Sequence, residues 1–311
     1  MWRGTAFDRL AQQRIFAGRD WIDAQPGLLA QGRALCVFGA EERTPALLGD
    51  LTEQFLRLFV FARRGALQPH LDVLRSAGHH AYPYAVLVGR EDNLERCRQI
   101  ARTDPSHLLG ASVAHLNGPG EPGVMHRVQA FCTAATRFPQ PDYFVGAADG
   151  AVLTSALFDD DGSVIGTSIY HHLVRAGPEY GAVACGLNAA IRPRRNAALR
   201  DAAIRGRSLS LAAWLNASAI LRCRELFGVT EIWSYTRAAN RRGLAFQLEL
   251  GAQEHPDIEC FRIEHRTALP DPRHAGRAID PRSFQAARTG RIPVEPSPFS
   301  APGCSAADVG C

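Results

Sequence analysis

The residues most suited to chemistry form a basic segment around residue 200. Six arginines lie within residues 192–207, and the segment runs directly into an apolar stretch. Its last residues are Arg205, Gly206, Arg207, Ser208, Leu209 and Ser210. Arginine guanidinium groups match the geometry of phosphate oxygens, and small residues let the N–H groups at the start of a helix approach a phosphate closely. The segment therefore predicts a binding site for a ligand that carries a pyrophosphate.

The elements on either side must hold this segment in place. Residues 181–191 form a nearly continuous apolar run, which is typical of a strand buried on both faces. The residues that follow the basic segment show an apolar stripe with a helical period, which predicts an amphipathic helix. The stripe consists of Leu211, Leu215, Ala219, Cys223 and Phe227. Residues 229–235 predict the next strand, and a helix between two strands predicts a crossover that leaves them parallel. Asn240 then opens a second helix.

This order of strand, loop, helix, strand and helix resembles that of the GNAT (Gcn5-related N-acetyltransferase) superfamily. The family signature combines a V-x-P strand end, an R/Q-x-x-G-x-G/A loop and a later helix that begins with asparagine. The matching features here are the strand end Ile191-Arg192-Pro193, the loop 205–210 and Asn240. The resemblance covers residues 142–265. It implies a GNAT-like acyl-CoA-binding fold, acetyl-CoA or another acyl-CoA as co-substrate, and transfer of the acyl group to an amine.

The resemblance also implies which residues hold the co-substrate. A backbone N–H group within residues 189–191 would bind the thioester carbonyl, and residues 205–210 would bind the pyrophosphate. The full set assigned to acyl-CoA binding is Ala189, Ala190, Ile191, Arg205, Gly206, Arg207, Ser208, Leu209, Ser210, Asn240 and Phe246. No metal belongs to this set.

Departures from the family pattern bear on activity. Ser208 stands where glycine is usual, Ser210 stands where glycine or alanine is usual, and extra residues separate Pro193 from Arg205. The position where many family members carry a general-acid tyrosine aligns with Gln247. The usual proton donor to the coenzyme A thiolate is therefore missing from its position.

Acyl transfer needs a base for the amine and an acid for the thiolate, and neighbouring strands must supply them. The candidates are Tyr235, His172, His171 and Glu231. Tyr235 lies at a strand end where its phenol can donate a proton, with plain packing as the alternative. The adjacent histidines point to opposite faces of their strand, so at most one faces a given site; the alternative is one surface and one core histidine. Glu231 is either a base or a solvated residue at a strand start.

Composition restricts the classes of protein. The chain has 311 residues, of which 46% are hydrophobic and 21% charged, so it can bury a sizeable core and form two domains. All 35 basic residues are arginine. A pyridoxal Schiff-base enzyme and a Walker-A nucleotide-binding loop both need lysine and are therefore excluded. The pair His79-His80 has no carboxylate or cysteine at ligand spacing, so no metal site is predicted.

Cysteine pattern, apolar runs and charge indicate the compartment and the partners. The eight cysteines form no C-x-x-C pair, which predicts buried reduced thiols rather than a zinc or redox site. The first residues lack an apolar signal core, and no apolar run reaches the length of a membrane span. We therefore expect a cytoplasmic protein without a membrane partner. The net charge of +4 comes without an aromatic-plus-basic motif, which does not favour nucleic acid as a partner.

The predicted fold class is α/β with a mixed (α+β) sheet, in which antiparallel hairpins come before the parallel crossover. Residues 1–140 form a helix-rich region that includes a helix at 46–61; it is either a degenerate second GNAT-like unit or a cover for the acceptor site. No internal repeat is visible along the sequence. Residues 141–268 form the GNAT-like acyltransferase domain. Residues 269–311 contain seven prolines and form a tail that wraps the surface or stays disordered; it ends in the Cys304–Cys311 stretch.

Three functions remain open from the sequence. The first is an acyl-CoA-dependent N-acyltransferase that acts on an amine of a small molecule, peptide or protein. The second is a non-catalytic or regulatory acyl-CoA-binding module, which Gln247 and Ser208 favour. The third is a nucleic-acid-associated protein that uses the arginines electrostatically. The sequence names neither the acceptor nor the acyl chain length nor the oligomeric state.

Overall fold

One mixed β-sheet forms the centre of the fold. The computed structural model describes residues 5–102, 111–118, 122–136, 140–145, 150–192 and 211–267, all within one unit of the chain, Met1–Arg277. The strands are β1 (Leu28–Gln31), β2 (Ala34–Phe38), β3 (Arg57–Arg63), β4 (His80–Gly89), β5 (Ser112–Asn117), β6 (Val152–Phe158), β7 (Val164–His172), β8 (Val183–Ile191), β9 (Glu231–Arg237), β10 (Gln253–Glu254) and β11 (Ile258–Glu264). The helices are α1 (Ala6–Ala17), α2 (Arg19–Asp23), α3 (Pro45–Phe55), α4 (Gln68–Ser76), α5 (Glu91–Ala101), α6 (Pro122–Thr136), α7 (Asp142–Val145), α8 (Leu211–Phe227) and α9 (Arg241–Glu249). The predicted tail, with Cys304 and Cys311, lies outside the described residues.

The strand order defines the fold class. The strands follow one another as β1-β2-β3-β11-β4-β9-β8-β7-β6-β5, and the short β10 pairs with β4. The pairs β2–β3 and β8–β9 are parallel, and the other described pairs are antiparallel. The predicted mixed α/β sheet is confirmed, and so is the predicted succession of antiparallel hairpins and a parallel crossover in the C-terminal half.

Helices cover both faces of this sheet. The helices α1, α3 and α4 bury residues such as Ile15, Leu48 and Leu71 against β2 and β3. The helices α5 and α8 pack on one face of β6 to β9, and α6 packs on the opposite face of β6 and β7. The predicted apolar stripe of α8 faces the sheet, because its first four members are fully buried. No described helix is both long enough and apolar enough to cross a membrane.

The two halves of the sheet repeat one connectivity. In the N-terminal half, β2 leads through α3 to the parallel β3 and then through α4 to β4. In the C-terminal half, β8 leads through α8 to the parallel β9 and then through α9 to β11. Each half gives its last strand to the other, since β4 pairs with β9 and β11 pairs with β3. About the central β11–β4 pair, the order β2-β3-β11 is therefore mirrored by β4-β9-β8, and β6 and β5 extend the sheet on the C-terminal side.

The predicted helix over residues 46–61 is wrong in its second part. The helix α3 ends at Phe55, Leu56 adopts a left-handed backbone with φ of 68°, and β3 begins at Arg57. Leu58 and Val60 face the α3 side of the sheet, whereas Phe59 and Phe61 face the opposite side. A strand that is apolar on both faces has no polar alternation, so its sequence merges with that of a preceding apolar helix.

A buried ion network ties α1 to the two strands β3 and β11. Arg57 donates from Nη1 to Asp8 and from Nε to Glu264, each at 2.8 Å. The side chains of Arg57, Asp8 and Glu264 are 10%, 7% and 5% exposed. Burial alone would raise the pKa of Asp8, but the charge and hydrogen bond of Arg57 outweigh it and leave the pKa below its usual 3.8. The stabilisation from ionised Asp8 is therefore present above pH 3.8 and is lost as the pH falls through the lowered value.

Removal of one carboxylate from this network should destabilise the fold strongly. We expect Glu264→Ala to lower the free energy of unfolding by about 3–5 kcal/mol, because it leaves part of the Arg57 charge buried without its partner. Urea denaturation followed by circular dichroism measures the change. The control is Asp72→Ala, which breaks the exposed pair with Arg75 on α4 and should cost at most about 1 kcal/mol. Equal losses in both variants would contradict the interpretation.

Candidate functional site

The parallel strands β8 and β9 run side by side at first and then part. Their register pairs Val183–Gly186 with Glu231–Ser234 and stops there. Beyond this point β8 stays with β7 as far as Ile191, and β9 stays with β4 as far as Arg237. The two strands thus open a gap at the place where the sequence predicts a cleft, between the strand ends at Ile191 and Tyr235.

A cavity of about 230 Å³ occupies this gap. We call it the strand cleft. It is lined from β7, β8, β9, α8 and α9 by Ser168, Tyr170, Gly186, Leu187, Ala189, Asn216, Ser234, Tyr235, Thr236, Asn240, Gly243, Phe246 and Gln247. Hydroxyl and amide groups make up much of this lining, so the cleft offers hydrogen-bonding groups to a ligand that lies between the strands.

A bulge in β8 marks the point of parting. Tyr170 pairs with Gly186 and Ile169 pairs with Asn188, so Leu187 is an extra residue on β8. A bulge bends the strand that carries it and increases its local twist, which turns β8 away from β9. Gly186 leaves the necessary room, because a Cβ atom there would lie 3.1 Å from the Tyr170 ring.

A buried polar cluster forms one wall of the strand cleft. The Asn216 side-chain oxygen accepts hydrogen bonds from Ser168 at 2.8 Å and from the Tyr170 hydroxyl at 3.2 Å. Burial is the main cause that raises the pKa of Tyr170 well above its ordinary value, so this phenol is protonated at neutral pH. These three residues were not predicted from the sequence. The signal that could have found them is Asn216 itself, an amide within the buried face of an otherwise apolar helix.

The helix α9 closes the cleft and is fixed at its first turn by Asn240. The Asn240 side-chain oxygen accepts from the Gly243 N–H at 3.1 Å, and its amide donates to Thr236 at 3.0 Å. This cap ties the helix to the end of β9 and confirms the predicted helix start. Phe246 and Gln247 lie in the second turn of α9, and both line the cleft.

Tyr235 is half-buried and borders the cleft, but its hydroxyl points into the core. The phenol donates a hydrogen bond to Gln31 of β1. Its ring lies 4.8 Å from Phe59 and 5.5 Å from Phe61, measured between centroids. Burial raises the pKa of Tyr235 well above its ordinary value, so the group stays protonated. Its predicted role as an acid stays a prediction.

The other three predicted catalytic residues do not meet Tyr235 at the strand cleft. A His172 ring nitrogen lies 2.7 Å from the Gly181 carbonyl, and Glu231 accepts from Arg90 at 2.7 Å. His171 is buried and pairs with the β8 segment before the parting. These residues sit beside the paired part of β8 and β9, and their catalytic roles stay predictions. Each residue of a strand advances about 3.3 Å, so Glu231 begins β9 well before the cleft opens.

The structure describes some of the residues that were predicted to hold acyl-CoA. Ala189, Asn240 and Phe246 line the strand cleft. Ala190 and Ile191 continue β8 past the parting, half-buried against the cores on its two faces. The predicted phosphate residues Arg205, Gly206, Arg207, Ser208, Leu209 and Ser210 lie outside the described residues. The described side chains whose oxygens lie close enough together for a cation are those of the turn Asp159, Asp160 and Asp161, in which Asp159 is buried and the other two are exposed.

Comparison with known proteins finds likeness in structure only. No protein-family model and no curated protein sequence matches the chain. A tandem GNAT protein from the clavulanic acid biosynthesis pathway is 12% identical over 76% of each chain, with a TM-score of 0.47. A GCN5-related N-acetyltransferase-like protein from Streptococcus suis is 14% identical over 76% of this chain and 82% of the other, with a TM-score of 0.48. A GCN5-related N-acetyltransferase from Kribbella flavida is 13% identical over 81% and 95%, with a TM-score of 0.46. The connectivity described above, rather than these modest scores, defines the fold.

Loss of the Asn240 cap should loosen the helix that closes the cleft. We expect Asn240→Ala to lower the free energy of unfolding by about 1 kcal/mol, the usual value of an N-cap side chain. Asn240→Asp keeps an oxygen that can accept from the Gly243 N–H, so it should stay close to the wild type. Urea denaturation measures both variants. If the aspartate variant lost as much as the alanine variant, the contact with Thr236 rather than the cap would be the important one.

Proposed function

We propose that the chain is an acyl-CoA-dependent N-acyltransferase. The co-substrate would be acetyl-CoA or another acyl-CoA, and the acceptor an amine of a small molecule, peptide or protein. The observation that carries the proposal is the strand cleft itself, in which two parallel strands part beside an asparagine-capped helix. The predicted cytoplasmic location stays a prediction.

The facing edges of β8 and β9 support the proposal that an acyl-CoA binds in the strand cleft. Beyond Gly186 and Ser234 the two strands no longer pair with each other, so backbone groups on their facing edges are open to a ligand. An extended arm that contains amides can bind such edges as an added strand does. The pantetheine arm of coenzyme A has this character, and its thioester end would lie at the bulge of β8.

Chain continuity supports a position for the phosphates at the start of α8. The basic segment ends at Ser210, and α8 begins at Leu211. The N-terminus of a helix carries unpaired N–H groups and partial positive charge, both of which favour a phosphate. We propose that residues 205–210 hold the coenzyme A pyrophosphate at this helix start, as the family resemblance implies.

The reaction then needs two proton transfers. The neutral amine attacks the thioester carbonyl carbon, the C–N bond forms and the C–S bond breaks; a base takes the amine proton and an acid protonates the thiolate. Gln247 lines the cleft at the helix position where the acid is usual, and it cannot supply a proton of suitable acidity. We propose Tyr235 for this role, since it borders the cleft and stays protonated at neutral pH.

A second candidate function has an observation of its own. The Tyr235 hydroxyl is already engaged with Gln31, so protonation of a thiolate requires that bond to be exchanged. A chain in which neither Gln247 nor Tyr235 acts as an acid would bind acyl-CoA without turnover. The alternative is therefore a non-catalytic acyl-CoA-binding module with the same ligand site.

We also propose that the region before residue 140 is a degenerate second unit of the same fold rather than a cover for the acceptor site. The repeat of strand, helix, parallel strand, helix and exchanged strand supports this assignment. The proposed divisions remain 1–140, 141–268 and 269–311. The strand β5 lies before the first boundary but pairs with β6, which lies beyond it.

Coenzyme A binding in the strand cleft is the first test. A ligand that binds only the folded state at about 100 times its Kd stabilises it by about 2.7 kcal/mol, so acetyl-CoA should raise the melting temperature. Ala189 is exposed and lines the cleft; Ala189→Trp should fill the cavity and abolish the shift. Ala46→Trp, on an exposed position of α3, is the control and should keep it. No shift in the wild type would refute both candidate functions.

The phosphate loop gives a second prediction. Arg205→Ala removes a charged hydrogen-bonding partner and should cost about 1.5–3 kcal/mol of binding free energy, or about ten- to a hundredfold in affinity. Ser208→Phe should obstruct the approach of the phosphates and also raise the Kd for acetyl-CoA. Isothermal titration calorimetry measures both values. Unchanged affinity in the two variants would move the phosphate site to another part of the basic segment.

The proposed acid, Tyr235, is tested by removing its hydroxyl oxygen. Tyr235→Phe should lower kcat by about 10²–10⁴-fold, the usual effect of a positioned acid or base, and should leave the Kd for acetyl-CoA nearly unchanged. The measurement is thiol release from acetyl-CoA with a library of amines. A loss of less than a few-fold would remove Tyr235 from the mechanism. A rate increase in Gln247→Tyr would indicate a weakened member of the family.

A further inference from the structure

A second and larger cavity shares no lining residue with the strand cleft. It has a volume of about 470 Å³ and lies where β2 and β3 end. We call it the acidic cavity. It is lined by Pro26, Gly27, Phe38, Gly39, Glu41, Glu42, Arg43, Phe61, Ala62, Arg63, Glu179, Tyr180, Trp233 and Ile258. Since β3 and β9 run in opposite directions across the central pair β11–β4, the ends of β2–β3 and of β8–β9 point to opposite sides of the molecule.

The acidic cavity takes the place in the N-terminal half that the strand cleft and its loop take in the C-terminal half. Each follows the first strand of a parallel pair and precedes the crossover helix. The chemistry of the two connections is opposite. The segment before α8 is rich in arginine, whereas residues 39–44 before α3 contain the adjacent carboxylates Glu41 and Glu42. A polyanion such as coenzyme A is therefore disfavoured at the acidic cavity.

Aromatic rings form the wall of this cavity. Phe38 stacks on Phe61 with centroids 4.8 Å apart and touches Tyr180 at 4.6 Å. Trp233 joins them, edge-on to Tyr180 at 5.9 Å. Phe38, Phe61 and Trp233 are held almost wholly in the core, and Tyr180 is the half-buried ring at the surface of the cavity. The faces of such rings attract organic cations through their quadrupoles.

The charges around the wall leave an excess of carboxylate. Arg63 pairs with Glu41 at 3.0 Å, and Arg43 donates to the Pro26 carbonyl at 2.7 Å. The second oxygen of Glu41 is buried without a hydrogen-bond partner. Within the described part of the chain, neither Glu42 nor Glu179 forms an ion pair at contact distance. Arg43 feels the charge of Glu42 at longer range, and the lining holds three carboxylates against the two guanidinium groups of Arg43 and Arg63.

The effect of these carboxylates is visible at Tyr180. Its pKa rises to about 12, first because of burial and then because of the negative charges of Glu179, Glu41 and Glu42. Three carboxylates from two separate segments thus act on one phenol at the cavity wall. The region favours positive charge beside an aromatic surface.

We propose that the acidic cavity binds a small organic cation, of the alkylammonium class, at a site separate from the strand cleft. The cation lies against Tyr180 and the neighbouring rings, with Glu42 and Glu179 as its counter-ions. This assignment does not depend on acyl transfer.

Choline and its uncharged isostere 3,3-dimethyl-1-butanol provide the direct test, because they differ in charge and hardly in shape. In isothermal titration calorimetry of the full chain, choline should bind saturably and about tenfold more tightly than the isostere, as expected for a partly desolvated cation–π contact. Equal affinity of the two compounds would show a merely apolar pocket and overturn the proposal. Tighter binding of benzoate than of choline, through Arg43 and Arg63, or the absence of saturable choline binding would overturn it as well.

Variants of three residues that line the acidic cavity locate the bound cation. Glu42→Gln and Glu179→Gln should each weaken choline several-fold, and Tyr180→Leu should weaken it more than Tyr180→Phe, which keeps the ring. The control Glu225→Gln changes an exposed carboxylate of α8 that lines neither cavity and should have no effect. Ala189→Trp blocks the strand cleft and should leave choline binding intact. Loss of choline binding in that variant would place the cation in the strand cleft and refute a separate site.

Discussion

The fold depends on a constraint at one place, where β8 and β9 must stop pairing while each remains in the sheet. β8 can leave β9 because β7 satisfies its other edge as far as Ile191, and β9 can stay in place because β4 satisfies its other edge as far as Arg237. Unpaired backbone groups in a protein interior are costly, so a gap inside a sheet is stable only where a ligand, water or side chains can meet those groups. The polar lining of the strand cleft fits this requirement.

The outer partner of β9 comes from the other half of the chain. β4 precedes β9 by more than a hundred residues and lies between β9 and β11. The Arg57 network then fixes β11 to β3 and α1. The geometry of the strand cleft is therefore held by residues of the N-terminal half, although none of that half's side chains lines it. Two halves that exchange their last strands share main-chain hydrogen bonds and form one sheet.

Local features were predictable from the sequence, and long-range features were not. The stripe of α8 and the Asn240 cap each depend on residues within a few positions of one another. The helix predicted over residues 46–61 failed where a buried strand follows a buried helix, because both are apolar throughout. His171 and His172 were predicted as candidates because they lie on a strand that neighbours the site. The register of β7 against β8 places Ser168 and Tyr170 of that strand at the strand cleft. Register across strands depends on packing that a single sequence does not reveal.

The aromatic core between the two cavities keeps them apart. Phe61 contacts Trp233 on the acidic cavity and Tyr235 beside the strand cleft, with centroids 6.4 Å and 5.5 Å away. These rings are close-packed, and close-packed cores resist small displacements. Tyr235 is thus held by ring contacts on the core side and by its hydrogen bond to Gln31. A phenol fixed in this way loses little entropy on meeting a ligand, but it must give up a good acceptor before it can serve another one. Its use as an acid therefore depends on whether the sulfur of a bound thioester can replace the Gln31 oxygen.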